Sequence, residues 1–308
     1  MSKLEKLGKK VDDLLDKKRQ ARLKELNAIE LLLFNNLFNE LRDSLSEDDR
    51  GRITSKKGFV SLSKAIDTIF DAIQAKHLSD LANGAALDMR EILTFNANYY
   101  RVLAVNKGEQ FQSITDAVNA AMSARLGITD TGAAKNGYLD QLLNADPARD
   151  EIKKLVAKSV AAGVPMKKLR RDLENRITGT GETAGLLEKH LHTFLFDTYS
   201  VADSITNNEF GSRLGLKYFI YAGGLIETSR EFCIEKNNKV FSTDEANRDW
   251  PKDPNLPLSK AEEKSGEPSG YVPLEDRGRY NCRHRIAYIS EEEAFRRRPD
   301  LAPKRQKE

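Results

Sequence analysis

Apolar positions in the first 215 residues recur at helical spacing. Leu4, Leu7, Val11 and Leu14 follow a 3-4-3 interval, which sets them on one stripe of a helix. The stripe weakens at Lys18 and returns richer with Leu26, Ile29, Leu33, Leu37 and Leu41. This predicts one long helix over residues 3–46, with room for a single break, and roughly 65 Å long at 1.5 Å per residue. Its first third is too polar to be buried alone, so contact with a partner or a neighbouring copy is expected. A polar break follows at 47–60. Leu62, Ala65, Ile66, Ile69, Phe70 and Ile73 then mark an amphipathic helix. Further helices are predicted over 79–97 and 113–126, the latter with Ile114, Val118, Ala121 and Met122 on one face. The Gly/Ala/Asn segment 129–137 reads as a domain boundary. Helical spacing resumes over 138–144, 150–163, 165–177 and 183–208. Gly163 closes one short helix and Pro165 opens the next.

The texture changes after residue 215. Leu216–Tyr221 is aromatic and β-branched enough for a strand, with Ala222-Gly223-Gly224 as its turn. Lys239–Phe241 and Arg285–Ile289 are two more strand candidates. Five of the nine prolines fall within 251–273, so the stretch 242–280 reads as a long loop without regular structure. The fold expected is mostly α: a long N-terminal helix and helical body, then a small C-terminal α+β domain with a few short strands. The blocks expected are 1–128, 129–215, 216–290 and a basic tail 291–308.

Charge adds little to that outline except at the ends. The net charge of +3 is too small to imply nucleic-acid binding. Residues 1–27 hold nine Lys/Arg against five acidic residues. Residues 296–308 hold six against two. Arg296, Arg297, Arg298, Lys304 and Arg305 are therefore the candidate contacts to phosphate, against the plainer reading of a solubilising tail. No apolar run is long enough to span a membrane, and the first residues lack the apolar core of a secretory signal, so a protein made and kept in the cytoplasm, or in a particle assembled there, is expected.

An ordered set of short motifs occupies the C-terminal part: Tyr218-Phe219-Ile220-Tyr221, Thr228-Ser229-Arg230-Glu231-Phe232-Cys233, Lys239-Val240-Phe241-Ser242 and Gly278-Arg279-Tyr280-Asn281-Cys282-Arg283-His284. In these residues the sequence resembles the phage minor head protein family, the Mu F-like head morphogenesis domain. The resemblance covers about residues 190–290 and does not extend to the N-terminal 140. It implies a virion structural protein of a tailed bacteriophage, near the portal or inside the head, acting in head assembly or in genome packaging and ejection. The implied partners are portal protein, major capsid protein and further copies of the chain. The alternative is an internal head protein that escorts or condenses packaged DNA.

The chemistry-bearing residues are few. Cys233, Cys282 and His284 could converge, and with Asp276 they would supply four zinc ligands. Spacing alone leaves three readings open: structural zinc, a disulfide, or buried unlinked thiols, the last being favoured because free cysteine is often simply core. Arg230 and Arg283 flank the cysteines and read as clamps for the 242–280 loop. Trp250, beside Pro251, reads as an anchor to the core, with a partner surface as the alternative. His190 and His192 lie two apart on a helix and face different directions. No HExxH, GxSxG, Walker A or GxGxxG sequence occurs, and no enzymatic activity is expected.

Overall fold

The computed structural model describes residues 3–56, 58–104, 107–260, 262–264, 268–279 and 282–303, with side chains from Lys6 onward. The Leu4 side chain, Tyr280, Asn281, Lys304 and Arg305 lie outside the described residues. The chain is mostly helical, opens with a long helix and carries a small C-terminal region of short antiparallel strands.

Helix α1 (Lys3–Ser44) is unbroken over 42 residues. The predicted polar break instead carries a hairpin, β1 (Leu45–Glu47) and β2 (Ile53–Ser55). Asp48 makes the turn, accepting from the Arg50 and Arg52 N–H groups at 2.9 Å each. Helix α2 (Phe59–Ile73) runs through a π turn, Gln74–Leu78, into α3 (Ser79–Leu103). Helix α4 (Phe111–Leu126) follows. The Gly/Ala/Asn segment read as a linker folds into a second small hairpin, β3 (Ile128–Thr129) and β4 (Gly132–Ala133). Next come a 3-10 turn (Tyr138–Leu143), α5 (Asp146–Ala161), α6 (Met166–Thr178) and α7 (Leu186–Leu214).

The C-terminal part contains β5 (Tyr218–Ala222), α8 (Glu231–Lys236), β6 (Val240–Ser242), α9 (Thr243–Asp249), α10 (Pro273–Asp276), β7 (Arg285–Ile289) and α11 (Glu291–Arg297). Strands β6, β5 and β7 form one antiparallel sheet in that order, with β5 central. The stretch expected to lack regular structure holds α9, α10 and 3-10 turns at Trp250–Lys252 and Glu262–Lys264. Helix α9 starts on a capping box: Ser242 accepts from the Glu245 N–H, and the Glu245 carboxylate accepts from the Ser242 N–H. Proline content obscured a helix whose own start signal, Ser242-x-x-Glu245, was present.

The chain divides into two units, and neither is continuous in sequence. One comprises residues 18–87 and 127–195; the other comprises 1–17, 88–126 and 196–308. The consecutive blocks read from the sequence therefore give way to interleaved segments. The long helices α1, α3 and α7 each contribute residues to both.

The first unit is a helical core. Leu26, Leu33, Leu37 and Leu41 of α1 are buried with Leu62, Ile66 and Phe70 of α2, Ile152 and Val156 of α5, and Leu169, Leu173 and Ile177 of α6. Each helix offers residues three or four apart, so one stripe per helix is enough. Arg149 of α5 bridges Asp67 and Asp71 of α2 across the rim of this core. Glu30 is the exception among these apolar side chains, being only 1% exposed. Its carboxylate accepts from the Glu188 N–H at 2.8 Å and so caps the start of α7. A side chain at Gly185 would overlap that carboxylate.

In the second unit the first turns of α1 are buried by their own chain. Val11, Leu14 and Leu15 are core residues, and Asp12 accepts from the Arg285 Nε of β7 at 2.7 Å. The first third, read from sequence as too polar to be buried alone, thus uses its few apolar residues and one carboxylate within the chain. Helices α3 and α7 meet through a buried polar seam. Tyr199 donates to Asp88 (2.7 Å), Asn96 to Asp203 (2.9 Å) and Tyr100 to Asn207 (2.7 Å). On α7 these partners lie at i, i+4 and i+8, one face of the helix.

Burial pushes Glu30 up to about 7, although the Glu188 and Leu187 N–H groups favour its charged form. A carboxyl group raised in the folded state binds its proton more tightly there than in the unfolded chain. Its contribution is therefore full below the ordinary glutamate value and is lost as pH rises through about 7. Urea unfolding of Glu30→Gln against the parent chain should show the parent losing on the order of 2 kcal/mol more between pH 5 and pH 8. Parallel pH profiles for the two proteins would show that this carboxyl binds its proton no more tightly in the fold than in the unfolded chain.

Candidate metal centre

The central strand decides which residues can meet. In β5, Phe219 and Tyr221 are buried, while Tyr218, Ile220 and Ala222 on the other face are half-buried. The register pairs Phe219 with Tyr288 and with Phe241, and Tyr221 with Ile286. His284, two residues before Ile286, reaches the same side as Tyr221, and their rings stack in parallel with centroids 4.6 Å apart. Trp250 occupies this side too, edge-on to Phe219, Tyr221, Phe232 and Phe241 at 5.3–5.7 Å. It is 2% exposed, which supports the core anchor over the partner surface.

Cys233 sits in the first turn of α8. Cys282 lies three residues ahead of β7. The two sulfurs are 3.9 Å apart, and the Tyr221 hydroxyl lies 3.3 Å from Cys282 Sγ and 3.6 Å from Cys233 Sγ. The ligand atoms of Cys233, Cys282 and His284 all fall within 4.8 Å of one another, and all three residues are buried. They form a cluster able to hold a metal ion. Asp276, the fourth ligand expected from sequence, is not among them; its carboxylate accepts from the Val272 N–H at 2.7 Å.

What brings Cys282 to Cys233 is a strained turn. Arg277 and Arg279 both have left-handed backbones, φ 53° and 66°, on either side of Gly278. Such conformations cost about 1 kcal/mol or more each and persist only where neighbours over-determine them. Here the neighbours are clear. The buried Arg277 guanidinium donates to the His284 carbonyl at 2.9 Å. Arg279 donates to both carboxylate oxygens of Glu262, at 2.8 and 2.9 Å, and to the Pro257 carbonyl at 3.0 Å. Those bonds hold Glu262 well below the usual carboxylate range. Arg230 donates to the Gly278 carbonyl at 2.8 Å, the clamp expected of it. Arg283 does not clamp the loop: it is exposed, with its guanidinium 5.5 Å from the centre of the Phe196 ring. Sequence adjacency to the cysteines suggested Arg283, whereas the residues that join Arg230 as clamps are Arg277 and Arg279, which only their contacts could reveal.

A Cβ at Gly278 would lie 2.6 Å from Cys233 Sγ and 3.1 Å from both Cys282 Sγ and the Tyr221 hydroxyl. Glycine thus leaves open the small space onto which both sulfurs and the hydroxyl face. The Cys282 sulfur beside it and burial hold the Cys233 thiol above its ordinary range. The hydrogen bond from Cys233 has the opposite effect on Cys282, which is held below the ordinary range, and the nearby Arg277 acts in the same direction. Burial pushes Tyr221 well up, so its hydroxyl keeps its proton and can donate to the sulfurs. Two cysteine sulfurs, once both are thiolates, and a histidine nitrogen are donors that zinc prefers.

No protein-family model, curated protein or solved structure matches this chain.

Among the candidate phosphate contacts, Arg296 and Arg297 both pair with Glu293, at 2.6 and 2.5 Å. Arg298 donates to the Glu245 carboxylate and the Val240 carbonyl, at 2.9 Å each, and also pairs with Asp300. These are ion pairs within the C-terminal unit. His190 lies 3.4 Å from Glu151, which also pairs with Arg176 and Lys189.

Gly278→Ala tests how tightly this space is closed. An exposed Gly-to-Ala change usually stabilises slightly. Here overpacking against Cys233 should destabilise by about 1–3 kcal/mol in urea unfolding. An unchanged or raised midpoint would mean that the sulfurs have room to move apart.

Proposed function

We propose that this chain is a structural protein of a tailed-phage head, of the minor head type, and that it works by assembly and positioning without turnover. The observation that carries the reading is the arrangement of the four motifs of the resemblance. Tyr218–Tyr221, the Thr228–Cys233 segment, Lys239–Ser242 and the described residues of the 278–284 segment lie around one strand, with Cys233, Cys282 and His284 drawn together. Motifs scattered over 70 residues by chance would have no reason to meet at one point. Portal protein, major capsid protein and further copies of the chain are the partners this reading names, and the virion is where it would reside. Packaged DNA is the weaker partner, since Arg296, Arg297 and Arg298 already carry carboxylate pairs.

The same reading assigns a structural zinc ion to the cluster. Tetrahedral zinc with Zn–S bonds of about 2.3 Å sets two sulfurs about 3.8 Å apart. The observed separation of 3.9 Å fits that edge and is far too long for a disulfide. Such an ion would tie α8 to the turn before β7, adding to the Arg230 bond to Gly278, the Asn237 contact with His284 and the Tyr221 contacts.

Purified chain should capture portal or major capsid protein encoded beside it, while any DNA shift should vanish near physiological salt. Failure to capture either, with tight and steeply salt-dependent DNA binding, would overturn the assembly reading in favour of a DNA escort. Elemental analysis after purification without chelators should find about one zinc per chain, with three donors from the cluster. Metal-free protein with two titratable thiols after unfolding would reduce the cluster to core thiols.

A further inference from the structure

The imidazole of His284 is held more closely than a core histidine needs. Tyr221 stacks flat on one side of the ring. Gly223 lies so near that a Cβ there would come within 2.8 Å of the ring's Cδ2. The Nε2 atom is 3.1 Å from Asn237 Oδ1, at the end of α8. An amide oxygen only accepts, so the nitrogen facing it carries the proton. A neutral imidazole has one such proton, which leaves the lone pair on Nδ1. That atom is buried without a well-formed hydrogen bond, and the ring sits beside the Cys282 sulfur, which it helps to hold below its ordinary range. The ring belongs to a residue 2% exposed, whose ligand atom lies within 4.8 Å of both cysteine sulfurs.

We propose that His284 ligates the metal through Nδ1 and that Asn237 is a positioning residue, which fixes the imidazole tautomer by accepting from Nε2–H. The inference rests on the zinc reading above and adds which nitrogen binds and what aims it. Metal-bound histidines characteristically donate their other ring N–H to a fixed acceptor, which sets both ring orientation and ligand basicity. Asn237 provides that acceptor from the same short helix that carries Cys233, so α8 supplies one ligand and the support of another. Nothing in the sequence marked Asn237: Asn237-Asn238 reads as an ordinary turn, and Asn238 does adopt a left-handed φ of 58°.

Only four histidines are present, so selective ¹⁵N-histidine labelling of the full chain gives a readable spectrum. Long-range ¹H–¹⁵N spectra with one equivalent of zinc should show one histidine metallated at Nδ1 and protonated at Nε2. Asn237→Leu should weaken zinc binding by about 10- to 100-fold, as loss of such a support typically does. Asn237→Asp, which keeps an acceptor in place, should restore affinity, a rescue that a purely structural role would not predict. Circular dichroism of both variants checks that the fold survives. Zinc bound through Nε2, or equal affinity in Asn237→Leu, would overturn this proposal and leave the zinc site standing. No zinc uptake by the parent chain would instead bring down the zinc reading itself and this inference with it.

Discussion

Everything on one side of the C-terminal sheet is organised by two buried rings on β5, Phe219 and Tyr221. Trp250 is set edge-on to both, and Phe232 and Phe241 complete its surroundings. Five aromatic side chains in edge-to-face contact form a rigid floor, each pair adding about 0.5–1.5 kcal/mol beyond simple burial. The excursion from β6 to β7 returns to this floor at Trp250. Cys233, one residue beyond Phe232, is carried to the Tyr221 hydroxyl, and His284 is laid against the Tyr221 ring. Without the strand, the thiols and the imidazole would have no common reference.

Most helices were legible because one face of each packs on a core and the other meets water. Leu26, Leu33, Leu37 and Leu41, read as a stripe, are all fully buried. The three sheet strands were also legible within one or two residues, since aromatic and β-branched side chains cluster there. The small hairpins at 45–55 and 128–133 were not. They are too short for alternation to register, and they are held by turn contacts such as those of Asp48. The interleaving of the two units was equally hidden, because a helix pattern says which face is buried and not against which segment.

The candidate site divides along the same line. Cys233, Cys282 and His284 could be named from residue type and local order. Gly278, Arg277, Arg279, Tyr221 and Asn237 could not be given their roles, since each acts through a contact made across a turn. Arg283 shows the converse, a residue chosen for its neighbours in sequence whose side chain lies elsewhere. The polar first turns of α1 teach a similar lesson. Their charge pattern looked solvent-directed, yet Asp12 neutralises Arg285, a guanidinium only 3% exposed. A buried arginine needs such a partner, and no helix periodicity announces one.

Both edges of the three-stranded sheet are closed by side chains. At β6, Arg298 takes the Val240 carbonyl and Glu245 takes the Ser242 N–H. At β7, Tyr99 donates to the Tyr288 carbonyl and the Tyr100 hydroxyl accepts from the Tyr288 N–H. Bare strand edges invite another chain to continue the sheet, the usual route to runaway aggregation at high local concentration. Here a second copy would first have to displace two side-chain bonds at whichever edge it approached. A neighbouring chain would therefore meet side chains at these positions, where a match depends on shape and charge instead of on exposed peptide groups.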